Sequence, residues 1–68
     1  MNKVYLVTGY NWNRQINATC LVGAESEFRA LMIANKELSD HSALVSQKRM
    51  AGLESPEEGI IYIKKENL

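Results

Sequence analysis

The residue types that could carry out catalysis are few in this chain, and their spacing is not that of a catalytic site. His41 follows Asp40 and has Ser39 and Ser42 nearby, which are the components of a nucleophilic triad. Neighbours on one loop rarely converge as nucleophile, base and orienting acid, because a triad draws its side chains from separate elements. We expect a structural or solvent-exposed role for His41; the alternative is a small enzyme subunit that uses His41 as its base.

Cys20 is the single cysteine, so an internal disulfide is excluded and a reducing cytoplasm is the expected environment. It alternates with Ile16, Ala18 and Val22 on an apolar strand face, where a cysteine behaves as a small hydrophobic residue. No basic residue lies near it on that face, so we do not expect a reactive thiol.

Three carboxylates, Glu54, Glu57 and Glu58, form the remaining cluster of titratable groups. They lack a partner at metal-ligand spacing, and a solvated loop is their expected setting. The four glycines stand singly, so the chain has no glycine-rich phosphate-binding loop. The sequence therefore predicts a non-catalytic protein without a metal site or a cofactor.

Length and composition are those of one small globular domain. The chain has 68 residues, of which 46% are hydrophobic, and a domain of about 60 residues buries only about 60% of the surface of its unfolded chain. Eight basic and eight acidic residues give no net charge, which removes the general attraction used by nucleic-acid and membrane-surface binders. No apolar run reaches about 18 residues, the length of a membrane span, and the N-terminus lacks a signal-peptide pattern. We expect a cytoplasmic protein.

Two strands are predicted at the start of the chain. Residues 3 to 10 are β-branched and aromatic, and residues 14 to 22 alternate apolar and polar side chains, as strands do. Asn11 and Asn13 tolerate left-handed backbone and favour a tight reversal between these segments. The pattern predicts an antiparallel hairpin with Trp12 at its tip.

After Gly23 the apolar period changes from two to about 3.6 residues, which indicates a helix. Ser26 can cap this helix, with Glu27 in its first turn, and we predict its end near Leu38. Ile33 lies off the apolar stripe and is either covered by another element or exposed as a partner contact. The stripe predicted to face the core, with Ala34 at its edge, consists of Phe28, Leu31, Met32, Asn35 and Leu38.

Residues 43 to 51 fit a helix capped by Ser39 or Asp40 and stopped by Gly52 nearly as well as a strand. We predict a strand, because no helical stripe is sustained there and the strand at residues 59 to 66 needs a partner. The segment GLESPEEG between them is predicted to be a long hairpin loop. The predicted fold is a single α+β domain, residues 1 to 68, in the order β-β-α-β-β: a four-stranded, mostly antiparallel sheet with one helix on one face.

One helix, about 10 Å across, cannot cover both faces of a four-stranded sheet. The side chains that we place on the uncovered face are Tyr5, Val7, Thr19, Leu21 and Tyr62. This set is too apolar to face water alone, so it predicts a homodimer or a contact with another protein.

The hairpin tip is the strongest candidate for a partner-binding site, and it holds Tyr10, Asn11, Trp12, Asn13 and Arg14. Tryptophan, tyrosine and arginine are the residues enriched at hot spots of protein interfaces. If the strands continued regularly through the turn, Tyr10, Trp12 and Arg14 would lie on one side. The alternative is that Trp12 folds back over the end of the helix as a lid on the core.

Basic residues provide a second candidate surface, for a nucleic acid or an acidic partner. Together with the tip, a strip along the second hairpin would be formed by Lys48, Arg49, Lys64 and Lys65. Alternatively, these residues protect exposed strand edges from aggregation. Because the net charge is zero, we expect contact with protein, and RNA or DNA binding is the alternative function.

The length and the element order through VGAESEFRALMIANKEL, residues 22 to 38, resemble those of the small phage-encoded inhibitors of bacterial defence, among them several anti-CRISPR proteins. These inhibitors share no sequence signature, so the resemblance assigns no role to an individual residue. It implies a non-enzymatic protein of the bacterial host cytoplasm that blocks a larger protein or ribonucleoprotein complex by occupying its surface.

Overall fold

The computed structural model describes residues 2–38 and 43–67. Their elements are strand β1 (Asn2–Asn11), strand β2 (Ile16–Ala24), helix α1 (Glu27–Glu37), strand β3 (Ala43–Ser55) and strand β4 (Gly59–Asn67). The α+β fold, the first hairpin and the helix are confirmed, and residues 43 to 51 belong to a strand. The predictions for His41 and its neighbours fall outside the described residues. Within the described part of the chain, no helix has the length and apolar character needed to cross a membrane.

The four strands form one antiparallel sheet in the order β3-β1-β2-β4. β1 and β2 pair as a hairpin at its centre, β3 pairs with the other edge of β1, and β4 with the other edge of β2. The predicted second hairpin is therefore wrong, since β3 and β4 lie at opposite edges. The polar connection between β3 and β4 has the sequence of a hairpin loop, which predicts that the two strands pair with each other. The hairpin of β1 and β2 has two free edges, however, and β3 and β4 each pair with one of them.

The register of β1 and β2 decides which side chains face the helix. Tyr5 pairs with Val22 and Val7 pairs with Cys20, and all four are buried in the core that includes the helix. The prediction that Tyr5 and Val7 lie on the uncovered face is therefore wrong. Alternation divides each strand into two sets of side chains, but only the register shows which sets share a face. The uncovered face carries Leu6, Thr8, Thr19, Leu21 and Tyr62.

The segment that joins β3 to β4, residues 56 to 58, crosses the sheet over Gly23 and is called the crossover below. Ser55 is buried at the end of β3, and its hydroxyl donates a hydrogen bond of 2.8 Å to the carbonyl oxygen of Glu57. A Cβ atom on Gly23 would lie 2.7 Å from that oxygen and 2.8 Å from the Cβ of Ser55. Gly23 pairs with Val4 on the face opposite the helix, so the crossover covers one end of that face, and Val4 is buried there.

Helix α1 begins at the predicted cap. The Ser26 hydroxyl accepts a hydrogen bond of 3.2 Å from the backbone amide of Arg29, and Glu27 lies in the first turn, where a negative charge is favourable. The guanidinium of Arg29 forms an ion pair with Glu58 in the crossover. This contact joins the start of the helix to the segment that crosses the sheet.

The side of the helix that faces the core differs from the predicted one. Phe28 is 70% exposed and Met32 is 48% exposed, and Asn35 is exposed as well. These three members of the predicted stripe therefore point away from the core. Leu38 is buried as predicted, and Leu31 is partly buried.

Small side chains explain this difference. Ala30 and Ala34 are fully buried, and they share the core with three small residues of the sheet: Ala18, Cys20 and Ala24. Close packing of such residues brings the helix backbone near the sheet and leaves no volume between them for a phenylalanine. A stripe chosen by hydrophobicity alone favours large residues and overlooks the alanines that permit this approach.

We predict that Gly23→Ala lowers the free energy of unfolding by about 1 to 3 kcal/mol, as overpacking does, because the new methyl group would overlap the Glu57 carbonyl and the Ser55 side chain. Urea denaturation measures the loss. The control is Asn17→Ala, which is exposed on the same strand and face and should change stability by no more than about 0.5 kcal/mol. Equal stability of the Gly23 variant and the wild type would show that the crossover is not held against the sheet.

Candidate partner-binding site at the hairpin tip

A buried asparagine side chain organises the turn between β1 and β2. The Oδ1 atom of Asn11 accepts hydrogen bonds of 3.0 Å from the backbone amides of Asn13 and Arg14, and Asn11 is 4% exposed. An asparagine oxygen that accepts from amides two and three residues later satisfies the backbone of a turn locally. The turn is therefore supported by the chain itself.

The loop of this turn consists of residues 12 to 15, because Asn11 pairs with Ile16. Gln15 has a φ angle of 54°, in the left-handed region. The reversal lies where the asparagines predict it, but neither asparagine provides this left-handed residue. Asn11 contributes its side-chain oxygen instead, and its burial makes it a supporting residue of the site.

Trp12 extends into solvent at the tip. Its side chain is 67% exposed and does not belong to the core, which excludes the lid. Its ring and the ring of Tyr10 meet edge to face, with centroids 4.5 Å apart and planes at 83°, a favourable geometry for an aromatic pair. This contact restricts the indole and leaves most of its surface in water.

The other predicted tip residues surround Trp12. Asn13 and Arg14 are exposed in the turn, and Tyr10 is half-buried at the end of β1. Regular alternation does not continue to Arg14, because strand pairing ends at Asn11. Tyr10 and Trp12 are brought together by their ring contact and not by the spacing of a strand.

The four basic residues proposed for a nucleic acid do not form one strip. Lys48 and Arg49 lie on β3 and Lys64 and Lys65 lie on β4, with two strands between them. Within each pair, the register places the two residues on opposite faces of the sheet. Lys64 also forms an ion pair of 2.9 Å with Glu66, and this hydrogen bond raises the pKa of the Lys64 ammonium.

Cys20 is fully buried, as its strand face predicts. Burial raises the pKa of the Cys20 thiol above its ordinary value of 9.0; the negative charge of Glu37 also raises it, and the positive charge of Lys65 lowers it. A protonated thiol that is shielded from solvent is not a nucleophile.

The carboxylates of the predicted acidic loop do not gather into a site. Glu58 forms its ion pair with Arg29, while Glu54 and Glu57 are exposed on the chain at either side of Ser55. Over residues 2–38 and 43–67, no three histidine, cysteine or acidic side chains group as metal ligands do.

A second exposed apolar surface, on helix α1, is missed by reading the sequence. Phe28 and Met32 belong to it, although the predicted stripe directs them to the core. The signal that could reveal it is the pair of alanines at positions 30 and 34, one helical turn apart, which marks the close-packed side. Ile33, which the sequence leaves as a covered residue or a partner contact, is partly buried against the core.

No protein-family model, curated protein sequence or solved structure matches this chain.

We predict that Asn11→Ala lowers the free energy of unfolding by about 1 to 3 kcal/mol, because two backbone amides lose their acceptor. Thermal or urea denaturation provides the measurement. Asn13→Ala is the matched control, since its exposed side chain can be lost while its amide remains; it should cost no more than about 0.5 kcal/mol. If both variants had the same stability, the Asn11 side chain would not be what supports the turn.

We predict a pH dependence of stability that comes from Cys20. The folded protein holds the thiol proton more tightly than the unfolded chain, because the folded pKa is raised. The contribution of the protonated Cys20 thiol to the free energy of unfolding is therefore fully present below the ordinary pKa of 9.0. It is lost as the pH rises through the pKa of the folded protein. Urea denaturation from about pH 7 to pH 10.5 should show the wild type losing stability relative to Cys20→Ala in the alkaline range. Parallel curves for the two proteins would contradict the raised pKa.

Proposed function

We propose that this protein is a non-catalytic protein-binding module and that Trp12 anchors its contact with the partner. The observation that carries the proposal is the exposure of the largest side chain in the chain on a turn that is braced by internal hydrogen bonds. Burying such a side chain would stabilise a small domain by several times RT. A domain of this size that leaves its tryptophan in water forgoes that stabilisation, and partner binding recovers it.

The tip is suited to binding because it is ordered before the partner arrives. Fixing a rotamer-rich side chain at an interface costs about 0.5 to 1.5 kcal/mol. Here the Asn11 hydrogen bonds fix the backbone, and the edge-to-face contact with Tyr10 restricts the indole. Part of that cost is therefore met during folding, which favours affinity.

The surface next to the tip provides polar groups around the Trp12 anchor. On the uncovered face, a shallow depression is lined by the strand segments that follow Tyr10 inward: Thr8, Gly9, Asn17, Ala18 and Thr19. An aromatic anchor beside hydroxyl and amide groups has the composition of an interface core with a polar rim. The crossover covers the far end of this face, so the proposed contact runs from Trp12 over the near half.

In its narrower form, the proposal is that the partner is a protein or ribonucleoprotein complex of the bacterial cytoplasm and that the chain inhibits it by occupying its surface. The resemblance to phage-encoded inhibitors supports this form, whereas the exposed Trp12 supports binding in general. Direct binding of RNA or DNA is less favoured, because the basic residues lie at opposite edges of the sheet and the net charge is zero.

We predict that Trp12→Ala weakens partner binding at least tenfold and keeps the fold, since truncating an aromatic hot spot costs about 2 kcal/mol or more. Wild type, Trp12→Ala and Tyr62→Ala would each be immobilised and exposed to nuclease-treated bacterial lysate. Tyr62 is the matched control, an exposed aromatic residue away from the tip. Proteins held by the wild type and by Tyr62→Ala should be lost from Trp12→Ala. Thermal denaturation should place Trp12→Ala within about 1 kcal/mol of the wild type.

The purified partner then allows a direct measurement. Trp12 is the only tryptophan of the chain. If the partner contains no tryptophan, or if its tryptophans have been replaced, binding should shift the fluorescence emission of Trp12 to shorter wavelength, because the indole leaves water. Undiminished binding by a folded Trp12→Ala would refute the proposal. Loss of binding by Tyr62→Ala alone would move the site to the part of the uncovered face around Tyr62. Retention from untreated lysate that is lost after nuclease treatment and falls steeply with salt would favour the RNA- or DNA-binding alternative.

A further inference from the structure

The exposed side of helix α1 carries a shallow, open apolar depression, called the helix groove below, that is separate from the tip. It is lined by Phe28, Leu31, Met32 and Asn35. Their spacing of three, four and seven residues from Phe28 places them along one side of the helix over two turns. Contiguous exposed apolar surface of this kind marks an interaction site, because the core is already closed by Ala30 and Ala34 on another side of the helix.

We propose that this groove is the contact with a second copy of the chain, in which the two α1 helices pack antiparallel about a two-fold axis. The spacing of the groove residues is that of the apolar seam in a helix pair. In antiparallel order, Phe28 of each copy lies over the Asn35 end of the other groove. Each groove then fills the other, and both phenylalanines leave water. This places the predicted homodimer contact on the helix and not on the uncovered face of the sheet.

The charges beside the groove favour the antiparallel order. Arg29 and Lys36 are seven residues apart and so lie on the same flank of the helix. Arg29 is neutralised by its ion pair with Glu58. Glu25 directly precedes the cap residue Ser26 and so lies at the start of the helix. The pKa of Arg29 is raised by its hydrogen bond to Glu58, then by the charge of Glu58, and also by the charge of Glu25. The flank is therefore acidic where the helix begins and basic at Lys36.

The two-fold symmetry converts this gradient into complementary contacts. A two-fold axis perpendicular to both helices places the flanks that carry Arg29 and Lys36 on the same side of the dimer. The two helices then run in opposite directions. Lys36 of each copy then approaches Glu25 of the other, twice in the dimer. A parallel pair would set like ends of the helices beside each other, whereas the antiparallel pair also sets the positive start of each helix dipole near the negative end of the other.

The size of the contact sets the expected strength. A helix of 11 residues is about 16 Å long. Two helices of this length bury a total accessible surface smaller than about 1,200 Å², the lower limit for stable protein interfaces. We therefore expect a weak dimer in rapid exchange with the monomer, detectable at about 0.1 to 1 mM protein.

Charge exchange at positions 25 and 36 provides the test, with sedimentation equilibrium as the measurement. Glu25→Lys and Lys36→Glu each replace both attractive contacts of the dimer with repulsive ones, so each variant alone should associate roughly tenfold more weakly than the wild type. In an equimolar mixture, the introduced lysine faces the introduced glutamate and the native pair is kept at the other contact. The mixture should therefore associate about as strongly as the wild type.

Two further variants separate the contact from the fold and from the tip. Phe28→Ala should weaken association at least tenfold, and its exposure means that the melting temperature should stay near that of the wild type. Trp12→Ala should leave association unchanged, so this proposal and the proposed function can fail independently. A strict monomer at about 1 mM, a dimer that a folded Phe28→Ala does not weaken, or a mixture no stronger than either charge variant would each overturn the proposal.

Discussion

The pairing of Asn11 with Ile16 is the constraint on which both the core and the tip depend. It makes every odd residue of β1 the partner of an even residue of β2, and this sets Tyr5 and Val7 under the helix. A slip of one residue would move the side chains of one strand to the opposite face. The Asn11 oxygen accepts hydrogen bonds from two backbone amides of the loop and so supports the turn at which this register begins.

The core that results combines Tyr5 and Leu38 with small side chains. Among the residues whose burial is described, the largest with no measurable exposure are Leu38, Val7, Val22 and Cys20, while Trp12 and Phe28 are the most exposed large apolar residues. A chain of this length buries a modest fraction of its surface in any fold, and close packing through alanines limits the volume of the core further. Among the described residues, the large apolar side chains left exposed are Trp12 at the hairpin tip, Phe28 and Met32 on the helix, and Leu53, Ile61 and Tyr62 on β3 and β4.

The crossover covers one end of the face that leads to the tip. It lies over Gly23 on the face opposite the helix and is joined to the start of α1 by the ion pair of Arg29 with Glu58. One end of the sheet is therefore closed by the chain itself, and the uncovered part of that face is continuous with the tip. A partner at Trp12 and a second copy at Phe28 would approach different sides of the molecule, so the two proposed contacts do not compete for the same surface.

The sequence by itself determined the local elements and several local environments. The change of apolar period after Gly23 located the helix, Ser26 its cap, the two asparagines the reversal at Trp12, and strand alternation the burial of Cys20. Each of these depends on residues within a few positions of one another, where backbone preference and side-chain spacing act directly.

Only the tertiary structure decided which elements are neighbours and which sides they share. Strands β3 and β4 occupy opposite edges of the sheet, which separates Lys48 from Lys64, and Phe28 is exposed because Ala30 and Ala34 allow the helix to lie closer to the sheet than a large residue would. Strand pairing and packing distance are set by contacts between residues far apart in the chain. Their energies depend on the shapes of both partners, and a periodic pattern in one segment contains no information about the shape of the other.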